Sequence, residues 1–246
     1  MRIDVYLASK GFARSRTDAK DLIVNGCVFI GNDPVKKPSF EVDEDDERVR
    51  VETTEERFVS RGGLKLSGAL SAFGVDACGK RCLDVGASTG GFTDCLLKNG
   101  ASHVIAVDSG NGQLVESLRT DSRVTVIENY NARFMNPEDL EYAAELAVMD
   151  VSFISATYII PAVYRCIADG AEFICLIKPQ FEVGKSGLGK GGIVKDEKVR
   201  RKAFENVVSF AESVGFEFLG SVISPIKGGD GNVEFLAHFK KLQKVR

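Results

Sequence analysis

From residue 57 onward, apolar strand-like segments alternate with helix-like segments, and this alternation restricts the possible folds more than any other feature. Strand candidates lie at 81–85, 103–108, 124–128, 146–151, 172–178, 216–223 and 234–239, with helical patterns at 90–99, 156–168 and 196–214. Strands separated by helices indicate a parallel sheet with helices on both faces. Only a loop separates the last two candidates, which predicts an antiparallel hairpin at the sheet edge. The predicted fold class is α/β, a doubly wound and mostly parallel sheet.

The first 55 residues differ from the rest in charge. Residues 1–40 contain seven Lys or Arg against four Asp, whereas residues 41–56 contain nine acids against two Arg. Such a shift marks a domain boundary. The pattern of the basic module predicts two helices and short strands. We therefore expect a small α+β domain at 1–55, a linker at 56–61 followed by a flexible Gly62–Gly63 pair, and the larger domain at 62–246.

Composition and patterning exclude several classes of protein. No stretch approaches the roughly 18 uninterrupted apolar residues of a membrane span. The N-terminus carries charges where a signal peptide needs an apolar region, so we expect a cytoplasmic protein. The six cysteines and two histidines lack the spacing of a zinc site, which predicts reduced thiols and no metal.

The segment LDVGASTGGFTDCLL at 83–97 joins a strand to a helix through small residues, as ligand-binding turns do. A P-loop requires a Lys after its last glycine, and none follows Gly90 or Gly91. A dinucleotide-binding turn requires glycine where Ser88 stands. The pattern D-x-G-x-G/S-x-G of S-adenosylmethionine enzymes matches from Asp84 to Gly90. The turn therefore indicates a methyl donor.

The chemistry of this donor agrees with the pattern. S-adenosylmethionine has no phosphate but has an amino acid end, a sulfonium and an adenosine. Small residues let the backbone approach the amino acid end, where Asp84 is expected to meet the ammonium. Asp108 ends the next strand and is expected to bind the ribose hydroxyls. The predicted donor site consists of Asp84, Gly86, Ala87, Ser88, Thr89, Gly90, Gly91, Asp108 and Asn131.

Four charged residues are candidates for the acceptor side. Asp150 and Lys178 end predicted strands, Glu234 opens the last strand, and Lys65 precedes the first. Ligands of open parallel sheets bind at the carboxyl ends of the strands, where these residues would converge. The segment DVSF at 150–153 replaces the N-P-P-Y or D-P-P-Y of amino-group methyltransferases, which disfavours base amines as acceptors.

The segments VSRGGLKL, LDVGASTGGFTD, MDVSFIS, LIKPQFEVG, GKGGIV and GNVEF resemble the TlyA family of ribosomal RNA ribose methyltransferases, sometimes called haemolysin A, over nearly the whole chain. The resemblance implies an N-terminal RNA-binding domain of the S4 type and an FtsJ-like, Rossmann-like methyltransferase domain. It also implies a Lys-Asp-Lys-Glu tetrad for transfer to a ribose 2′-hydroxyl, matched here by Lys65, Asp150, Lys178 and Glu234. Ser109 and Asn111 depart from the family pattern, which would alter donor affinity.

The extent of the chain resembles the shorter family type, which is associated with a cytidine of large-subunit 23S rRNA rather than with sites on both subunits, 16S rRNA included. A ribose hydroxyl must lose its proton as the methyl group arrives. A lysine at its ordinary pKa of about 10.4 is protonated, and burial beside a second cation would lower that pKa. We expect Lys178 to orient or deprotonate the hydroxyl, with Lys65, Asp150 and Glu234 setting its charge state and position.

Ribosomal RNA or a ribosomal subunit is the expected partner, and Lys or Arg side chains suit its phosphates. The expected RNA-binding residues are Arg2, Arg14, Arg16, Lys20, Lys36, Lys37 and Arg61. Residues 178–202 contain eight Lys or Arg against three acids, and we expect 183–195 to form a mobile loop over the acceptor site. We expect a monomer.

Three other functions remain open from the sequence. The chain could be an RNA-binding or ribosome-assembly factor without activity, although the donor turn and the tetrad count against this. A membrane-active haemolysin is disfavoured by the absence of an apolar span or signal. A nicotinamide-dependent enzyme is disfavoured by Ser88.

Overall fold

Contacts within the chain divide it into two units, Met1–Arg57 and Phe58–Arg246. The computed structural model describes residues 1–13, 15–24, 27–51, 58–184, 187–189, 191–228 and 231–243. The domain boundary expected after residue 55 falls within 52–57, outside the described residues.

The smaller unit contains two helices and three short strands: α1 (Ile3–Ser9), α2 (Arg16–Val24), β1 (Val28–Ile30), β2 (Asp33–Pro34) and β3 (Val49–Val51). The strands pair antiparallel in the order β2-β1-β3. Ser15 Oγ accepts a hydrogen bond from Asp18 N, which caps the start of α2. Apolar residues spaced three or four apart on both helices pack with the strands into one core: Ile3, Leu7, Ala19, Ile23, Val28 and Val49. This confirms the predicted α+β domain.

The larger unit alternates strands and helices, as the sequence predicts. Its elements are α3 (Gly62–Phe73), β4 (Arg81–Val85), α4 (Gly91–Lys98), β5 (His103–Val107), α5 (Glu116–Arg119), β6 (Val124–Ile127), β7 (Ala144–Met149), α6 (Ile160–Cys166), β8 (Ile167–Ile177), α7 (Pro179–Glu182), α8 (Glu197–Val214), β9 (Phe216–Ile223) and β10 (Phe235–Lys241). Short 3-10 helices lie at Ala132–Phe134, Pro137–Asp139 and Ala156–Tyr158. The sheet order is β6-β5-β4-β7-β8-β10-β9.

Strands β4 to β8 are parallel, and β10 pairs antiparallel with both β8 and β9. This confirms the predicted α/β class and the antiparallel hairpin. The last strand is nevertheless not at the edge, because β10 is inserted between β8 and β9. Since β10 runs antiparallel to β8, its first residues lie at the edge where the parallel strands end. Glu234, directly before β10, therefore lies at the carboxyl edge.

Strand β8 begins at Ile167, five residues earlier than the predicted start at 172. The predicted helix at 156–168 is divided into a 3-10 helix and α6, and Cys166 is its last residue. Ile167 pairs with Ala144 of β7 across an irregularity in the register. Pairing with β7 thus extends β8 back to Ile167, although Gly170 in this segment disfavours a strand.

Gly62 and Gly63 form the first turn of α3 rather than a hinge. A Cβ on Gly63 would overlap the ring of Phe58, and one on Gly91 would lie 2.9 Å from Gly63 N. Phe58 is buried, and Val59 N donates a hydrogen bond to Asp94 Oδ2 at 2.8 Å. Residues 58–61 of the predicted linker thus belong to the larger unit, and the glycines permit close packing of backbone on backbone.

Helices cover both faces of the sheet. One face packs against α3 and α4 through Leu66, Leu70 and Leu96, and the other against α6 and α8 through Val163 and Val207. None of the helices formed by the described residues has both the length and the apolar composition that a membrane span needs.

Candidate active site

The turn after β4 is held between the ends of two neighbouring strands. Gly86 has a φ of +86°, and a Cβ there would lie 2.5 Å from the carbonyl oxygen of Asp150, so only glycine fits. Ser88 has a φ of +48°, which is uncommon for a residue other than glycine. Ser88 N donates to Asp108 Oδ2 at 2.7 Å. Asp150 follows β7 and Asp108 follows β5, so both strand ends fix the turn.

Asp84 lies beneath this turn and does not line the cleft above it. Its side chain is fully buried, and Oδ2 accepts a hydrogen bond from Thr93 Oγ1 at 2.6 Å. Burial raises the pKa of Asp84 to about 7, against the opposing effect of the Thr93 hydrogen bond. Oδ1 has no hydrogen-bond partner among the described residues. A buried acceptor of this kind is where the donor group of a ligand would complete the hydrogen bonding.

Both carboxylate oxygens of Asp108 accept backbone hydrogen bonds, from Ser88 N and from Gly110 N at 2.6 Å. Each carboxylate oxygen has a second lone pair, so ribose hydroxyls can still donate to Asp108. Asn131 is exposed and is not among the residues that line the cleft. Its side chain instead accepts from Arg133 N and caps a 3-10 helix.

Glu128 organises the loop beside the donor turn, a role that the sequence pattern does not predict. It follows β6 directly, and its carboxylate accepts from Gly112 N at 2.8 Å and from Gln113 N at 3.1 Å. Arg119 Nη2 donates to the same carboxylate at 2.7 Å. The hydrogen bond from Gly112 N is the main cause that lowers the pKa of Glu128, to about 2. The Gln113 side chain reaches back to Ser88 Oγ at 3.3 Å. The sequence signal that could have identified Glu128 is an acidic residue at the end of a predicted parallel strand.

Lys65 and Glu234 form a buried ion pair, with 2.6 Å between Nζ and Oε2. Their side chains are 9% and 2% exposed. Gln180 Nε2 donates to the other oxygen, Glu234 Oε1, at 3.3 Å. Gly228 passes so close to Glu234 that a Cβ there would lie 2.5 Å from Oε1. The loop before β10 and the first turns of α3 thus meet at this carboxylate.

Lys178 and Asp150 form the second pair, with 2.6 Å between Nζ and Oδ1. The contact is an ion pair without the angles of a hydrogen bond, and Lys178 Nζ donates instead to Ser152 Oγ at 2.7 Å. The immediate partner of each lysine is therefore a carboxylate, whereas the sequence predicts a second cation beside Lys178. Ser152 is a further site residue, to which the sequence pattern assigns no role.

One cleft of about 270 Å³ connects these groups. It is lined by Ser60, Arg61, Gly62, Lys65, Gly86, Ala87, Ser88, Thr89, Gly91, Phe92, Asp150, Ser152, Lys178 and Lys227. The donor turn and both lysines therefore face the same space. Arg61, expected to bind RNA, donates from Nη2 to the carbonyl oxygen of Lys227 at 3.1 Å.

Phe153 is 91% exposed, directly after the cleft residue Ser152. Its φ of +64° is strained for a bulky side chain and costs about 1–3 kcal/mol. Its ring centroid lies 5.1 Å from that of Phe181, whose ring is 5.9 Å from Lys178 Nζ. Phe153 lies in the segment MDVSFIS and Phe181 in LIKPQFEVG, but residue type alone assigns neither of them a role. A strained and exposed ring at this place can stack on a planar group.

The basic residues expected to bind RNA are on the surface where they are described. Arg2, Arg16, Lys20, Lys36 and Lys37 are exposed in the smaller unit. Arg14 lies outside the described residues.

The expected mobile loop at 183–195 is partly held in place, although residues 185, 186 and 190 are not described. Val194 N donates to Asn232 Oδ1 at 3.0 Å, and Asn232 Nδ2 donates to Gly192 O at 3.1 Å. Asn232 is 1% exposed, so the end of the loop is anchored to the segment that leads to Glu234. Within the described part of the chain, no three His, Cys, Asp or Glu side chains are placed to share a metal ion.

Family models match both units. The model for FtsJ-like methyltransferases matches residues 58–241, and the S4 domain model matches residues 1–47. The larger unit is therefore an FtsJ-like methyltransferase domain.

Relatives match nearly the whole chain. Hemolysin A of Brachyspira hyodysenteriae is 44% identical over 240 residues, which cover 97% of this chain and 99% of that protein. The 16S/23S rRNA (cytidine-2′-O)-methyltransferase TlyA of Mycobacterium tuberculosis is 45% identical over 234 residues, or 95% of this chain and 87% of that protein. The solved structure of a Streptococcus thermophilus protein is 42% identical with a TM-score of 0.77, covering 99% of this chain and 89% of that one. The chain belongs to the TlyA family of FtsJ-like methyltransferases.

Proposed function

We propose that this chain transfers a methyl group from S-adenosylmethionine to a ribose 2′-hydroxyl of ribosomal RNA, a cytidine of 23S rRNA being the first candidate. The observation that carries the proposal is the single cleft that joins the donor turn at 86–91 to two lysine–carboxylate pairs. The name of the Mycobacterium tuberculosis relative supports the same reaction class. A ribosomal RNA substrate implies action in the cytoplasm.

The residues around the turn fit S-adenosylmethionine. The small residues of the turn line the cleft and let the backbone approach the amino acid end of the donor, while Asp84 supports the turn from beneath. Asp108 retains lone pairs for ribose hydroxyls, and Glu128 holds the neighbouring loop at 112–114 in place. When bound, the donor supplies a methyl group whose bond to sulfur breaks as its bond to the ribose oxygen forms.

The two ion pairs provide a route for the proton of the hydroxyl. Lys178 Nζ carries three N–H groups, of which Ser152 takes one and Asp150 approaches another. In the transfer step, Lys178 Nζ realigns to donate to Asp150 Oδ1, passes that proton to the carboxylate and takes the hydroxyl proton in its place. Lys65 lines the same cleft, and its charge is neutralised by the buried Glu234. Alignment of the hydroxyl with the methyl group supplies much of the rate.

The surface beside the cleft suits a nucleotide taken out of a base-paired or stacked position. Phe153 presents an exposed ring next to Ser152, and unpaired RNA bases stack on such rings. Outside the residues that line the cleft, Arg133 lies 4.9 Å from the ring of Tyr158 and 6.0 Å from that of Phe134, and both rings are more than half exposed. Guanidinium and aromatic groups interleaved in this way are typical of surfaces that bind single-stranded RNA.

The proposal is tested with Lys178→Ala, assayed by transfer of labelled methyl from S-adenosylmethionine to isolated ribosomal subunits, followed by nucleoside mass spectrometry. We expect labelled 2′-O-methylcytidine from the parent, and a rate at least about a hundredfold lower from the variant, the usual contribution of a general base. Binding of S-adenosylmethionine, measured by calorimetry, should be nearly unchanged.

Lys80→Ala is the matched control, because Lys80 pairs with Glu172 at 3.1 Å and is not among the residues lining the cleft. It should retain normal transfer. Full activity of Lys178→Ala would refute the assignment of Lys178, and label on a base instead of a ribose would refute the reaction class.

A further inference from the structure

Glu182 joins two segments on the acceptor side of the cleft, although it is not among the residues that line the cleft. It is the last residue of α7, the single helical turn that starts directly after Lys178. Glu182 Oε2 accepts a hydrogen bond from Ser155 Oγ at 2.5 Å, and Oε1 accepts one from Ala156 N at 2.8 Å. Both carboxylate oxygens therefore hold the far end of the loop that begins after Asp150.

The loop at 151–155 depends on side chains for its position. In the part of the chain that the structure describes, no backbone N–H group of this loop donates a hydrogen bond to another protein atom. Asp150, directly before the loop, donates from its backbone N–H to the last carbonyl of β4 at 2.9 Å. In the middle of the loop, Ser152 Oγ accepts from Lys178 Nζ at 2.7 Å. At its end, Glu182 ties the loop to α7.

Phe153 is the residue of this loop that most needs such anchors. Its φ of +64° is disfavoured for a bulky side chain, and a strained backbone persists only where the surrounding structure fixes it. The centroid of its exposed ring lies 5.1 Å from that of Phe181. Phe181 belongs to the same turn as Glu182, and its N–H donates to the carbonyl oxygen of Lys178 at 2.9 Å. One helical turn thus connects Lys178 with the anchor of the exposed ring.

The hydrogen bonds indicate that Glu182 acts through geometry rather than through its charge. Burial raises the pKa of Glu182 above its ordinary value, against the opposing effect of the hydrogen bonds from Ser155 and Ala156. The surroundings therefore disfavour the negative charge, whereas both oxygens have a donor. A glutamine of the same length can keep both contacts, because its oxygen can accept from Ala156 N and its amide can donate to Ser155 Oγ.

We propose that Glu182 is a positioning residue for the acceptor nucleotide. It fixes the loop at 151–155 so that the ring of Phe153 stacks on the base while Lys178 meets the ribose 2′-hydroxyl. A ring that is fixed during folding need not be ordered when the nucleotide binds, which favours the stacked state. The inference rests on the proposed function, since it takes an unpaired nucleotide of ribosomal RNA as the ligand.

The test measures methyl transfer by the full chain to isolated ribosomal subunits, with separate values of kcat and of KM for the subunits. Glu182→Ala should lower kcat by about tenfold, the contribution of one stacked base. KM should change by less than about twofold, because phosphate contacts elsewhere supply most of the RNA affinity. Glu182→Gln should keep kcat within about threefold of the parent, since both contacts can be retained. Ser155→Ala removes one of the two hydrogen bonds and should lower kcat by about threefold.

Glu145→Ala is the matched control, because Glu145 also accepts a backbone N–H, that of Arg81 at 3.0 Å, and does not line the cleft. It should have the kcat of the parent. The circular dichroism spectrum of Glu182→Ala and its calorimetric binding of S-adenosylmethionine should both match those of the parent. If Glu182→Ala does not fold, Ser155→Ala replaces it in every comparison.

A double-variant cycle shows whether Glu182 acts through Phe153. The kcat of Glu182→Ala/Phe153→Ala should lie about tenfold below that of the parent, as in each single variant, and not about a hundredfold below it. A hundredfold loss in the double variant, a kcat of Glu182→Ala equal to that of the parent, or an equally large loss in Glu182→Gln would overturn the inference. None of these results changes methyl transfer by the parent chain, whereas a parent that leaves ribosomal RNA unmethylated would refute the proposed function itself.

Discussion

Glu234→Gln removes the counter-charge of a buried lysine while preserving the size of the side chain. Glu234 Oε2 lies 2.6 Å from Lys65 Nζ, and the two side chains are 2% and 9% exposed. Loss of one partner from a buried ion pair costs about 3–5 kcal/mol, because the other charge stays in a medium of low dielectric constant. The glutamine can still accept a hydrogen bond from Lys65, so we expect about 3 kcal/mol, at the lower end of that range.

The assay is unfolding of the full chain, followed by calorimetry and by urea titration. A loss of about 3 kcal/mol should lower the melting temperature of a unit of this size by roughly 6–12 °C. Glu205→Gln is the matched control, because Glu205 pairs with Arg201 at 3.0 Å while both side chains are more than half exposed. Its effect should stay below about 0.5 kcal/mol.

A double-variant cycle tests whether the loss arises from the pair itself. Lys65→Met/Glu234→Gln should be less destabilised than the sum of the two single variants, by at least about 1 kcal/mol. If Glu234→Gln were as stable as the parent, or if the two effects simply added, the buried pair would not be the source of the stability.

Three further predictions concern the donor site and its surface. Burial raises the pKa of Asp84 in the folded chain from 3.8 to about 7, so its contribution to stability is lost as pH rises from about 4 to 7. Unfolding should therefore be measured at pH 5 and at pH 7.5. The free energy of unfolding of Asp84→Asn should rise relative to that of the parent, with a slope approaching 1.4 kcal/mol per pH unit inside that window. A constant difference between the two proteins would contradict that burial. Glu128→Gln should weaken S-adenosylmethionine binding in calorimetry, because the backbone N–H groups at 112–114 lose the carboxylate that accepts their hydrogen bonds. RNA affinity should be retained. If the variant bound S-adenosylmethionine as tightly as the parent, Glu128 would not hold this loop for donor binding. Phe153→Ala should reduce methyl transfer by about tenfold, the loss of roughly 1–3 kcal/mol of base stacking, without lowering stability. Leu219→Ala, 46% exposed on β9, is its control and should transfer normally.

Local sequence patterns were sufficient to predict most of the larger fold. Strands β4 and β9 have the bounds predicted from the sequence, 81–85 and 216–223. The start of β8 was not predictable, because Ile167–Ala171 contains Asp and Gly and pairs only through an irregular register with β7. Insertion of β10 between β8 and β9 likewise leaves no local signal.

The predicted site residues differ in how far local pattern could describe them. The turn at 86–91 could be recognised from spacing, because close backbone approach requires small residues at particular places. The burial of Asp84 under that turn and the use of Asp108 to hold Ser88 depend on packing around the strand ends. The roles proposed for Glu128 and Phe153 depend on a backbone loop and a strained φ, and residue type reveals neither of these.

Periodicity and residue chemistry are local properties, and they were enough to predict the two-unit organisation and the alternating fold. They also singled out the turn at 86–91, Lys65, Asp150 and Lys178, which the structure brings to one cleft. The partners of those charges depend on the folded chain, in which Lys65 pairs with Glu234 across 169 positions and Lys178 pairs with Asp150. The antiparallel insertion of β10 returns Glu234 to the carboxyl edge, where the parallel strands end. Which charges neutralise each other is therefore a property of strand order.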